Sequence, residues 1–111
     1  MSQVVIINNP EELEGALAQT DGKHIIKISN KSCIPCRAIN PFYEEFSEEF
    51  LDVTFYSIVA DQVEDEHAID VKLRSIRVST VPTFIILDDG VETRVSGAFS
   101  KTKLKEALNL V

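Results

Sequence analysis

Short apolar runs alternate along this chain with longer segments whose apolar residues recur every three or four positions. Four of the runs have the composition of β-strands, and they are Val4–Ile7, His24–Ser29, Val53–Val59 and Thr83–Leu87. The second run is nearly continuous in apolar residues, which is typical of a strand whose two faces are both covered. A turn at Asp88–Gly90 joins the fourth run to Val91–Val95, so these two strands are predicted to form a hairpin.

The segment after the first strand carries the signals of a helix start. Asn9 is a suitable N-cap, Pro10 suits the first helical position, and Glu12 is a capping-box acid. We expect this helix to end at Asp21–Gly22.

Three further helices follow from apolar periodicity. The longest lies after the cysteines and presents one apolar stripe, made of Ile39, Phe42, Tyr43, Phe46 and Phe50. Pro41 lies within this helix and is expected to kink it. Weaker patterns predict helices over His67–Ile76 and Lys101–Leu110.

The predicted order of elements is β-α-β-α-β-α-β-β-α. Three strands linked by helices are expected to pair in parallel, whereas the terminal hairpin is antiparallel, so the sheet must be mixed. The chain has 111 residues, which is the usual length of one domain. The sequence therefore predicts a single α/β domain over residues 1–111, with a central mixed sheet flanked by helices.

Charge is unevenly distributed along the chain. The net charge is -7, and the stretch from Phe42 to Asp70 holds ten acids and no Lys or Arg. A surface of this sign repels nucleic acid, so no nucleic-acid partner is expected. The aliphatic run Val4–Ile7 is far shorter than a membrane span or a signal-peptide core. We therefore expect no membrane association and a cytoplasmic location, where cysteines stay reduced.

The only two cysteines form the motif Cys33-Ile34-Pro35-Cys36, after a predicted strand and at the start of a predicted helix. In that context a Cys-x-x-Cys motif is typical of redox sites. Backbone N–H groups at a helix N-terminus stabilise a thiolate, and one turn separates the two sulfurs, close enough for a disulfide. Such a thiolate attacks a substrate disulfide, and the second cysteine then resolves the mixed disulfide. Lys27, Lys31 and Arg37 bracket the pair, where positive charge would stabilise a thiolate; the alternative for Lys31 and Arg37 is that they are solvated loop charges.

Three other uses of the cysteines stay open at this point. Zinc prefers four ligands, and within one chain only His24 and His67 could join the pair, without the spacing of a zinc finger. A cluster shared across a dimer would bring four thiolates together. The third alternative is a pair of inert, reduced thiols.

Four landmarks of the chain resemble those of the thioredoxin family, in the same order and over nearly the whole length. The family's Trp-Cys-Gly-Pro-Cys is matched by Ser32–Cys36, its helix proline by Pro41, its cis-proline segment by Val81–Thr83 and its late glycine by Gly97. The resemblance implies a thioredoxin fold, with Cys33 as the exposed nucleophile and Cys36 as the buried resolving thiol. It also implies a cis Val81–Pro82 bond, which would bring the Val81 backbone beside Cys33 to pair with an extended substrate.

The chain departs from the family pattern at three positions. Ser32 replaces the usual Trp, Ile34 replaces the usual Gly, and Lys27 replaces the buried acid six residues before the nucleophile. A charged Lys27 would stabilise a thiolate, whereas a neutral, desolvated amine could act as a base. The third alternative is that the side chain extends to the end of the sheet and its amine does not meet Cys36. The residues expected to bind substrate are Ser32, Ile34, Pro35, Val81, Pro82 and Gly97.

The sequence therefore predicts a thiol-disulfide oxidoreductase that reduces protein disulfides through the Cys33/Cys36 dithiol. By resemblance it needs no bound cofactor, because the cysteine pair itself carries the electrons, and an NADPH-dependent flavoprotein reductase supplies them. We expect a monomer. One alternative is the same chemistry in the oxidising direction, as an oxidase or isomerase. Another is a binding module that uses the surface around Ile34, Val81 and Pro82, with incidental redox activity.

Overall fold

A computed structural model describes residues 2–97 and 99–110 and contains the elements in the predicted order. They are β1 (Val5–Ile6), α1 (Pro10–Leu17), β2 (Lys23–Ser29), α2 (Ile34–Glu49), β3 (Val53–Val59), α3 (Glu66–Ser75), β4 (Thr83–Asp88), β5 (Val91–Ser96) and α4 (Lys101–Ala107). Every strand ends within about one residue of its predicted bounds, because strand limits follow closely from apolar runs. Residues 1, 98 and 111 of the predicted domain lie outside the described residues.

The strands form one mixed sheet in the order β1-β3-β2-β4-β5. β3 pairs in parallel with both β1 and β2, whereas β4 pairs antiparallel with both β2 and β5. This confirms the prediction from crossovers and hairpin. β2 lies at the centre, and its last five residues are buried, as its continuous apolar character predicts.

Helices cover both faces of the sheet. Under α2 and α4 the core is rich in aromatic residues, and the Tyr43 ring lies 5.3 Å from that of Phe55 and 5.8 Å from that of Phe84. Under α1 and α3 the core is aliphatic, with Leu13 and Ile69 fully buried against the strands. No helix within the described ranges is both long and apolar enough to cross a bilayer.

The start of α1 confirms the prediction, but its end does not. Asn9 is the N-cap, and its side chain accepts a hydrogen bond from the Glu12 N–H at 2.8 Å. The Glu12 carboxylate accepts from the Asn8 N–H at 2.7 Å, one residue before the position a capping box uses. The helix stops at Leu17 rather than at Asp21–Gly22. Leu17 is the last residue of α1 that packs on the aliphatic core. The residues that follow it, from Ala18 to Gly22, are exposed, so no buried contact stabilises another helical turn.

The predicted end of α4 at Leu110 is also wrong, because Asn109 terminates the helix. Asn109 has a φ of 56°, and the Leu110 N–H donates to the Lys105 carbonyl at 3.0 Å while the Asn109 N–H donates to the Glu106 carbonyl at 2.9 Å. This is the Schellman arrangement, which uses a left-handed residue to close a helix.

Hydrogen bonds join the turn of the β4–β5 hairpin to the turn between α1 and β2. Asp89 and Gly90 form the two-residue connection with φ of 49° and 86°, the left-handed pair that a tight hairpin needs. The Gly22 N–H donates to Asp89 Oδ1 at 2.8 Å, and the Asp89 N–H donates to the Gly22 carbonyl at 2.9 Å. Both turns lie at the end of the sheet where β2 begins.

Candidate functional site

Cys33 and Cys36 form a disulfide at the start of α2, with their Cα atoms 5.2 Å apart. Cys33 is the N-cap, and its Sγ accepts a hydrogen bond from the Cys36 N–H at 3.1 Å. The cysteine sulfur thus takes the place of the hydroxyl or carboxylate that usually caps a helix. Because the same N–H groups and the helix dipole favour negative charge, this position lowers the free energy of a thiolate on Cys33.

The two sulfurs differ in their access to solvent. Cys36 is 1% exposed, whereas Cys33 is only partly buried and its neighbour Ile34 is 75% exposed. Pro35 lies in the first helical turn, where its missing N–H leaves no unpaired donor. A molecule that approaches the pair from outside therefore reaches Cys33 and Ile34 before Cys36.

The loop that carries the pair is held by hydrogen bonds that involve side chains. The Lys31 N–H donates to Asp61 Oδ1 at 2.8 Å, and Arg37 Nε donates to the Lys31 carbonyl at 3.3 Å. The Ser32 hydroxyl donates to Asn30 Oδ1 at 3.4 Å. Lys31 and Arg37 are exposed on the segment that carries the disulfide.

The Val81–Pro82 bond is cis, as the resemblance implies. Thr83 follows it and pairs with Ile28, near the end of β2 that leads into the cysteine loop. Gly97 follows Ser96, which pairs with Thr83, and the Gly97 N–H donates to the Pro82 carbonyl at 3.3 Å. The pairing of three strands therefore brings the cysteine loop, the Val81–Pro82 segment and Gly97 to one end of the sheet.

Lys27 is buried beneath α2, with 4% of its surface exposed. Its ammonium donates a hydrogen bond to Asn40 Oδ1 and lies 4.8 Å from the centre of the Tyr43 ring. Burial lowers the pKa of Lys27 to about 8, and the charge of Glu44 opposes this shift. Asn40 is one helical turn beyond Cys36 on the same side of α2, so Lys27 sits under that turn.

Two contributors to this polar region were missed by sequence reasoning. Asn40 was not singled out, although its spacing of four residues from Cys36 is a usable signal. Tyr43 was assigned only to the apolar stripe, but its hydroxyl lies 3.0 Å from the Ile25 carbonyl and 2.7 Å from the Tyr56 carbonyl. Burial raises the pKa of Tyr43 well above its ordinary value, so the hydroxyl stays a neutral donor that anchors α2 to the sheet.

The side-chain contacts of His24 do not involve the cysteine pair. His24 Nδ1 lies 3.1 Å from the Tyr56 hydroxyl and His24 Nε2 lies 2.9 Å from the Asp21 carbonyl, whereas His67 is exposed. Within residues 2–97 and 99–110, no three His, Cys, Asp or Glu side chains converge into a group that could hold a metal ion. The arrangement that can do chemistry is the disulfide itself.

Comparison with known proteins gives a consistent result. The thioredoxin family model matches residues 4–110. Thioredoxin-2 of Saccharomyces cerevisiae is 32% identical over 106 residues, which is 95% of each chain. Thioredoxin-2 of Dictyostelium discoideum is 36% identical over 92 residues, 83% of this chain and 96% of that protein. The crystal structure of oxidised thioredoxin O1 from Arabidopsis thaliana superposes with a TM-score of 0.82 at 27% identity, covering 98% of this chain and 97% of that one.

Proposed function

Because this chain belongs to the thioredoxin family and is a thiol-disulfide oxidoreductase that reduces protein disulfides, we propose that Cys33 attacks the substrate and Cys36 resolves the product. The observation that carries this assignment is the contrast between the sulfurs. Cys33 is partly exposed and caps α2, whereas Cys36 is 1% exposed. The exposed, cap-stabilised sulfur is the better nucleophile and the buried sulfur is protected from competing substrates.

The reaction starts from the dithiol form. The Cys33 thiolate attacks one sulfur of the substrate disulfide, a Cys33–substrate disulfide forms, and the other substrate sulfur leaves as a thiolate that takes up a proton. Cys36 then loses its proton and attacks Cys33 Sγ, which releases the second substrate thiolate. Two electrons pass to the substrate, and the Cys33–Cys36 disulfide of the structure is the product state.

The substrate surface in this proposal surrounds Cys33. Ile34 offers an exposed apolar side chain, and Ser32, which precedes Cys33, is also exposed. Val81, Pro82 and Gly97 lie at the same end of the sheet and complete this surface together with Pro35. An extended peptide that carries the disulfide would pair with the Val81 backbone.

Lys27 is proposed as a positioning residue that tunes the pair. Its ammonium lies under the turn that follows Cys36, and at neutral pH it is mostly charged because its pKa is about 8. A positive charge there favours a thiolate in the pair. We expect Lys27→Met to raise the thiol pKa of Cys33, measured as a shift of the alkylation-rate profile to higher pH. An unchanged profile would remove Lys27 from the mechanism.

The dithiol must be regenerated after each turnover. A flavoprotein reductase that uses NADPH is the proposed electron donor, since the chain carries its electrons on the cysteine pair and needs no bound cofactor of its own. A cytoplasmic location is proposed because a reducing compartment keeps such a dithiol reduced. A monomer suffices, since both sulfurs come from one chain.

The test separates the two sulfurs. In the Cys36→Ser variant the mixed disulfide cannot be resolved, so protein substrates should accumulate covalently on Cys33 and be released by a reducing agent. The matched Cys33→Ser variant should trap far less, because its remaining thiol is buried. Equal trapping by the two variants would overturn the assignment of roles, and no trapping by either would overturn the reductase mechanism at this pair.

A further inference from the structure

A cavity of about 370 Å³ lies between α2 and the β1-β3-β2 edge of the sheet, away from the disulfide. Ile6, Ser57 and Lys27 line its strand side, whereas Asn40 and Glu44 line it from α2. Of the residues proposed to act in the disulfide mechanism, Lys27 alone is among those that line this cavity.

The strand side of the cavity is one row across the sheet. Ile6 of β1 pairs in register with Ser57 of β3, and Ser57 pairs in register with Lys27 of β2. Side chains in register on neighbouring strands point to the same face, and all three line the cavity. The row therefore places an apolar group, a hydroxyl and an ammonium side by side.

The polar groups in this row have donors to spare. Ser57 is 5% exposed and lines the cavity, and within the described ranges no residue pairs with its hydroxyl. An ammonium carries three donors, and among those same residues Lys27 donates only to Asn40. Both groups face the cavity, so an acceptor placed between them would take a hydrogen bond from each.

We propose that this cavity binds a small aliphatic monocarboxylate, with its carboxylate between Lys27 and Ser57 and its hydrocarbon part against Ile6. A carboxylate is the acceptor that matches an ammonium and a hydroxyl, because a charge-assisted hydrogen bond is about twice as strong as a neutral one. The apolar wall is continued by Val4 and Val59, which favours a short branched chain over a second charge.

Two groups on α2 set the selectivity. Glu44 lines the cavity and repels a second negative charge, so dicarboxylates and phosphate are disfavoured. Tyr43 contributes the face of its ring and stays neutral. The paired residues on β3 and β4, Ser57 and Phe84, bring no further charge towards Lys27, which leaves Glu44 as its charged neighbour among the residues that line the cavity.

The probe is isobutyrate, titrated into the oxidised protein at pH 6.5 and followed by the methyl resonances of Ile6, Val4 and Val59. Isobutyramide, which has the same shape without charge, is the matched control ligand. We expect a saturable shift with isobutyrate at millimolar concentrations and a much smaller one with isobutyramide. Equal shifts from the two ligands, or no saturable shift with isobutyrate, would overturn the proposal.

Substitutions and changes of pH test which residues contact the carboxylate. Lys27→Met should weaken binding by tenfold or more, at roughly the strength of a hydrogen bond to a charged group, and Ser57→Ala by about fivefold. Glu44→Gln should tighten it, because the repelling charge is removed. Raising the pH through the Lys27 pKa of about 8 should weaken binding in the unmodified protein, which tests the ammonium without any substitution. Binding that survives both Lys27→Met and high pH would contradict the assigned site.

Discussion

The two faces of the central sheet are built from different residues. The face under α1 and α3 is aliphatic, and its fully buried members are Leu13, Ile26, Ile28, Ile58, Ile69 and Ile85. The face under α2 and α4 carries the buried aromatic rings, and on it β2 and β3 also bury Lys27, Ser29 and Ser57. Thr83, at the edge of the cis-proline segment, is the one buried polar strand residue of the first face among those described.

This difference follows from which helix carries the cysteines. α2 begins at the disulfide and lies over one face only, so polar groups that influence the pair must lie on that face. The opposite face has no such partner, and apart from Val81, whose backbone is proposed to pair with substrate, it contributes burial. We therefore expect substitutions on the α1–α3 face to change stability but not the rate of disulfide reduction, and substitutions beneath α2 to change both.

The largest expected effect on stability is on the aliphatic face. Leu13 is fully buried in that layer, so Leu13→Ala should lower the free energy of unfolding by about 2–5 kcal/mol through lost burial and a cavity. Denaturant unfolding measures the loss. Disulfide reduction per folded molecule should stay unchanged, and a fall in that rate would mean that the α1–α3 face takes part in the chemistry.

A smaller, pH-dependent effect is expected beneath α2. Burial lowers the Lys27 pKa from 10.5 to about 8, so above pH 8 the folded chain has released a proton that the unfolded chain still holds. The stability of the unmodified protein should therefore rise relative to Lys27→Met between about pH 8 and 10.5, by about 3 kcal/mol at most, since one pKa unit is worth about 1.4 kcal/mol. Below pH 8 the penalty for the buried charge is fully present.

The check is denaturant unfolding of both proteins from pH 7 to 10. Ionisation of exposed lysines and tyrosines affects the two proteins alike and cancels in the difference. If the difference in unfolding free energy between the two proteins stays constant with pH, Lys27 has an ordinary pKa. The contrast between the two faces would then no longer include a buried lysine with a lowered pKa.

The smallest effect compares two helix caps. Asn9 caps α1 on the aliphatic side, so Asn9→Ala should cost about 1 kcal/mol of stability and leave the reduction rate unchanged. Cys33 caps α2 in the same way but is the proposed nucleophile, so Cys33→Ser should keep a capping oxygen and lose turnover. Thermal unfolding and a disulfide-reduction assay on both variants test the pair. If the Cys33→Ser protein still reduces disulfides, Cys33 only caps α2 and is not the nucleophile.

The order of elements, the mixed sheet and the position of the cysteine pair could be predicted because each depends on local pattern. Apolar runs, the Asn9–Pro10 cap and the Cys33–Cys36 spacing are all read within a few residues. The ends of α1 and α4 could not be predicted. The end of α1 depends on where its apolar contacts stop. The end of α4 depends on the left-handed conformation of Asn109, which the presence of an Asn in the sequence does not predict.

The polar row beneath α2 could not be predicted for a different reason. Ser57 and Lys27 are thirty residues apart, and they become neighbours only through the register of β2 on β3. A one-residue shift of that register would turn Ser57 to the opposite face. Sequence pattern identified Lys27 as a departure from the family, but only the pairing shows that Asn40 and Ser57 surround it.

The reduction potential of the Cys33/Cys36 couple tests the central claim most directly. The protein is equilibrated in thiol-disulfide buffers of defined potential, and free thiols are counted by alkylation. A protein that reduces disulfides should have a potential close to that typical of thioredoxins, roughly -270 mV. A value of roughly -120 to -180 mV would mean that the pair acts as an oxidant or isomerase, and a pair that forms no disulfide at any potential would contradict the enzymatic function altogether.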